Sequence, residues 1–163
     1  MPIAPDTKDW TWVLERPCPE CGFDARAFPR EHVGRMVRAN AAAWQDVLAR
    51  HDGLTARPSD DRWSALEYAC HVRDVFRLYD QRLEMMLTDD DPDFPNWDQD
   101  VTAVEERYNE QDPVGVAGDI TAASSSALPS RVNKRPRLAI PDCKAKDCRL
   151  FLLMVRILIS FCR

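Results

Sequence analysis

One stretch holds a histidine with chemically useful neighbours. Glu67, His71 and Asp74 are spaced i, i+4 and i+7, so on a helix they share one side. A carboxylate one turn from an imidazole can fix its tautomer and orientation, as a metal ligand requires. His71 is thus a candidate metal ligand, with Glu67 and Asp74 either orienting it or substituting as ligands. The plain alternative is a half-buried, hydrogen-bonded histidine in a structural helix. A second candidate is Cys18-Pro-Glu-Cys21-Gly22. Its CxxC spacing is half of a four-ligand zinc knuckle, and no second CxxC follows. Cys143 and Cys148 are spaced more loosely. Cys18 and Cys21 can also simply pack in a proline–glycine turn. A redox pair would need a βαβ context, which the sequence lacks.

The elements that must position these residues are helical. In residues 63–87, Ser64 and Glu67 have the spacing of a capping box, and Trp63 can staple onto Tyr68. Leu66, Cys70, Phe76, Tyr79, Leu83 and Met86/Leu87 recur at helical spacing as a buried stripe. A first helix is predicted from Pro29 to about Arg50, with Val33, Met36/Val37, Asn40, Trp44 and Val47/Leu48 on one face and Gly53 at its stop. His32 and His51, near its two ends, are given no catalytic role. A third helix is expected over 98–110, with Val101, Val104 and Tyr108 inward. A fourth opens at Asp112-Pro113, an N-cap followed by proline, and runs to about 124. The first two helices are expected to pack antiparallel. No segment alternates like a strand, so the chain reads as all-α.

Composition bounds the rest. The chain has 163 residues, the size of one ordinary domain, and 45% are hydrophobic. Charge is divided unevenly: residues 1–126 carry 25 acidic and 13 basic side chains, a net of −12, whereas residues 127–163 carry 2 and 9, a net of +7. An acidic body is a poor match for nucleic acid, whose phosphates demand clustered Lys and Arg. Asp89, Asp90, Asp91 and Asp93 lack the glycine and terminal glutamate of a calcium loop, and read as a solvated acidic loop. The N-terminal residues show no basic and apolar signal pattern, so a cytoplasmic chain with reduced thiols is expected. The run 149–163 is shorter than a membrane span and contains Arg156. It is expected to lie on the body or at an interface.

The residues from Trp63 to Val75, WSALEYACHVRDV, resemble the second-helix signature of the DinB-like superfamily. That signature has a tryptophan and serine at the helix start, a glutamate one turn in, and a histidine followed by aspartate. The opening Arg16-Pro17-Cys18-Pro19-Glu20-Cys21-Gly22-Phe23-Asp24, the acidic loop, Trp97–Asp100 and Tyr108–Pro113 are similar to actinobacterial members. The resemblance covers about residues 8–124. It implies an up-down-down-up four-helix bundle with a divalent metal, zinc or nickel, between helices. It also implies thiol-dependent S-transferase or isomerase chemistry with mycothiol or bacillithiol, His71 being the second-helix ligand. The expected partners are a small-molecule thiol and an electrophilic substrate, with a homodimer as the candidate assembly.

Members of that family supply two further ligands from the last bundle helix, as a His (or Glu)-x-x-x-His pair. Here no histidine follows His71 and no glutamate follows Glu110. The expected organisation is therefore an N-terminal segment with the CxxC knuckle (1–29), a DinB-like bundle (30–126) and a basic C-terminal tail (127–163). In this organisation the last helix is incomplete or replaced, as an out-of-frame ending would do. The expected outcome is a family member inactive as written. The alternative is a non-catalytic helical binding module with a candidate zinc knuckle and a basic tail.

Overall fold

A computed structural model describes residues 32–125 continuously and, before them, Trp12, 15–19, 22, 24, 26–27 and 29. The expectations for Cys21, Cys143, Cys148 and the whole of 127–163 lie outside the described residues. Within them the fold is all-α, four helices packed together with no strand: α1 (Val33–Leu48), α2 (Ala65–Thr88), α3 (Gln99–Glu105) and α4 (Pro113–Ser125), with a 3-10 turn at Tyr108–Glu110 before α4.

The start of α2 follows its sequence. Ser64 takes an extended conformation, its hydroxyl accepts from the Glu67 N–H, and the Glu67 carboxylate accepts from the Ser64 N–H. Two of the donors that a helix N-terminus leaves open are thereby satisfied. Trp63 closes the staple, its ring 5.5 Å from that of Tyr68 in an edge-on arrangement. α2 is buried on more than one stripe: Ala69, Val72 and Val75 join Leu66, Cys70, Phe76, Tyr79 and Leu83 in the core.

That wide burial follows from the packing. α4 lies against both α1 and α2, and each of those makes its main contact with α4 rather than with the other. Val116 and Ile120 of α4 enter the core beside Val37, Ala41, Trp44 and Leu48 of α1. Gln45 of α1 donates to the Ala117 carbonyl at 2.8 Å and pins the two helices in register. α4 begins where Asp112-Pro113 predicts: the Asp112 carboxylate accepts from the Gly115 N–H at 2.8 Å.

Three boundaries differ from expectation. α1 starts at Val33 rather than Pro29, because the Pro29 carbonyl is taken by the His32 N–H in a turn and no side chain caps the helix. It ends at Leu48, and the residue that first turns left-handed is His51 (φ 60°), ahead of Gly53 (φ 71°). α3 is much shorter than 98–110. Arg107 adopts a left-handed conformation (φ 47°) and breaks the helix. The break sends Tyr108 into the core, fully buried, and leaves Val101 and Val104 of α3 at 49% and 55% exposure instead of inward. No described helix is long and apolar enough to cross a membrane.

Candidate functional site

α2 carries Glu67, His71 and Asp74 on successive turns, but each faces a different environment. Glu67 is buried, and Arg57 from the preceding loop holds both its oxygens: Nε donates to Oε2 at 2.9 Å and Nη2 to Oε1. Burial alone would raise its pKa. The Arg57 guanidinium and the Ser64 N–H outweigh that and hold it below the usual value. Glu67 is an ionised cap and ion-pair partner.

Asp74 is held just as firmly. Its two oxygens accept from Arg73 Nε and Nη2 at 2.8 and 3.0 Å, and the Tyr108 hydroxyl donates to it at 2.5 Å. Burial and this bond push the Tyr108 phenol up, so it is a protonated donor. Arg73, itself buried, also reaches Gln111, and Arg77 bridges Asp74 and Asp119. The network ties α2 to the 3-10 turn and to α4. Cys70, one residue before His71, donates its S–H to the Tyr108 carbonyl. Burial pushes its thiol up to about 12, the signature of an inert structural cysteine.

His71 packs against two indoles. The Trp63 ring is 5.3 Å away at 56°, and the Trp97 ring is stacked on the imidazole at 5.5 Å and 10°. Its Nδ1 is buried. Among the described residues no three of His, Cys, Asp and Glu stand together as a group that could hold a metal ion. The described residues thus do not fit the three-ligand site that a catalytic zinc needs, since both candidate carboxylates already serve arginines. Arg57, ten residues from Glu67, and Trp97, in the acidic loop, are site residues that the sequence did not flag. Neither has a periodic relation to α2.

Cys18 is buried and joins no disulfide among the described residues. Its carbonyl accepts from the Gly22 N–H at 2.8 Å, and Gly22 has φ 72°. This turn therefore ends on a left-handed residue, where glycine's freedom is required. If this turn holds zinc, the purified chain carries metal that Cys18→Ser removes. Equal metal content by mass spectrometry in both proteins returns the pair to a packing role.

Comparison with protein-family models, curated proteins and solved structures gives no match. The class that fold and site define is an all-α helical bundle.

Proposed function

We propose that this chain is a DinB-like, up-down-down-up bundle related to the metal-dependent thiol transferases, in which His71 keeps the second-helix ligand position, and that it is catalytically silent as written. The observation that carries this is the commitment of Glu67 to Arg57 and of Asp74 to Arg73 and Tyr108. A carboxylate already paired with a guanidinium must break a charge-assisted bond before it can bind a cation. The two α2 carboxylates also lie on the same helix as His71, whereas a ligand pair from a facing helix would enclose the ion. The chain's own residues here do structural work: Glu67 caps, Asp74 clamps, and the two tryptophans orient the imidazole.

The test is calorimetric titration of the chain with zinc and with nickel, beside a conjugation assay using mycothiol or bacillithiol and an electrophilic bimane. The expected results are weak metal binding and no turnover. A version given a final helix with a His-x-x-x-His pair should gain both, and His71→Ala should then abolish both. Tight, His71-dependent binding by the unaltered chain overturns the proposal.

A second reading, a non-catalytic binding module, is favoured by the charge division between −12 and +7. It is distinguished by association through 127–163 that weakens with salt and needs no metal.

A further inference from the structure

We infer that a cleft at the start of α2 binds a free apolar α-amino acid, held as a zwitterion. The inference does not rest on the metal reading, and His71 is not among the residues that line the cleft. The cleft has a volume of about 190 Å³ and lies where the loop before α2, the start of α2, α3 and the 3-10 turn converge. A cavity of about 150 Å³ is enough for benzene, so this one has room for a side chain of leucine size with its α-carbon. Trp63, Ala103 and the half-exposed Val104 supply apolar surface for that side chain.

The charges of the lining select the ligand. Arg57 and the buried Glu67 hold each other through two contacts, so together they offer no net charge. Arg107 and Glu110 are 73% and 67% exposed, and their side chains meet in one contact of 3.3 Å. An exposed pair of that kind contributes little. Asn109, between them in sequence, accepts from the Ser64 hydroxyl through Oδ1 at 2.9 Å, which leaves its amide N–H groups as donors for a ligand. A monoanion in the cleft would meet Glu110 and Asp100, and a monocation would meet Arg107 and Arg57. A zwitterion answers both signs. Inserted between Arg107 and Glu110, it exchanges one long contact for two charge-assisted ones, carboxylate to Arg107 and Asn109 and ammonium to Glu110. The backbone adds a second indication. Arg107 is left-handed at φ 47°, a conformation that glycine adopts without steric cost. Strain of this kind gathers at ligand sites, and the arginine that bears it here brings a guanidinium to the cleft.

The experiment titrates the isotope-labelled full chain with L-leucine and follows its amide and indole signals by NMR. Leucinamide, which lacks the carboxylate, and N-acetyl-leucine, which lacks the ammonium, are titrated beside it. Leucine should shift the signals of 103–110 and the Trp63 indole, saturating at roughly millimolar concentration. Each analogue should bind about tenfold more weakly, the effect of losing one charge-assisted bond. Arg107→Gly suits the left-handed backbone and removes the guanidinium, so it should keep the spectrum of the folded chain and weaken leucine about tenfold. Glu110→Gln should weaken leucine and leave N-acetyl-leucine unchanged. Absence of saturable shifts up to about tenfold above that concentration overturns the inference, as do saturable shifts confined to other residues. Equal binding of leucine and either analogue overturns it, and so does equal binding of leucine to Arg107→Gly and the unaltered chain.

Discussion

Phe76→Ala is expected to destabilise the chain by about 3–5 kcal/mol, the range for emptying a large aromatic site in a packed core. Phe76 is 2% exposed and sits midway along α2, within the core cluster shared with α1 and α4. Relaxation there is limited because helices meet α2 on more than one side. Trp63→Ala should fall in the same range, since it removes the staple onto Tyr68 and the ring contacts to His71 and Tyr108. Urea unfolding of the two variants measures both. Near-wild-type midpoints for both would refute the placement of α2 at the centre.

Glu67→Ala should be nearly as costly, on the order of 3 kcal/mol or more, because it leaves Arg57 without its carboxylate and the buried Ser64 N–H without its acceptor. The partly exposed Arg57 side chain, at 25%, places the loss at the low end of what a fully buried pair would give. A pH signature accompanies it. The folded pKa of Glu67 lies below its ordinary value of 4.5, with Arg57 and Ser64 overcoming the opposing effect of burial. Around pH 4.5 and below, the unfolded chain therefore binds more protons at this group than the folded one. Its contribution is fully present above 4.5 and is lost as pH falls through the folded value. Urea midpoints taken from neutral pH down to about pH 3 should fall less steeply for Glu67→Gln than for the unaltered chain. Parallel curves would mean that the pair contributes nothing.

Local signals were legible and long-range ones were not. Ser64, Glu67, Trp63 and Tyr68 announce the start of α2 because cap and staple are contacts over three to five residues. Asp112-Pro113 announces α4 for the same reason. Val101, Val104 and Tyr108 have helical spacing, yet only Tyr108 is buried. The spacing could not reveal that Arg107 would turn left-handed to deliver Tyr108 to Asp74 and Cys70. What Glu67 and Asp74 do is set in the same way, by distant partners. Glu67 and Asp74 have the right types and spacing to support a ligand, but what each can do depends on Arg57 and Arg73. Arg73 is adjacent in sequence, and only the fold shows that it is buried against Asp74 rather than extended into water. The stacking of Trp97 on His71 joins a helix to a loop 26 residues away, beyond any periodic pattern.

The position of α4 between α1 and α2 bears on how the molecule is made. Synthesis delivers α1 and α2 first, and those two have little surface for each other. The contacts that close the core span large sequence distances, as Gln45 to Ala117 does, and such contacts form late because the intervening chain must first be ordered. A nascent chain stalled before Pro113 would thus carry Trp44, Leu48, Phe76 and Tyr79 without the helix that covers them, open to chaperones and to aggregation. The chain gains its protection only once Val116 and Ile120 have cleared the ribosome, so whatever is translated after Ser125 also sets how long the finished bundle waits at the tunnel exit.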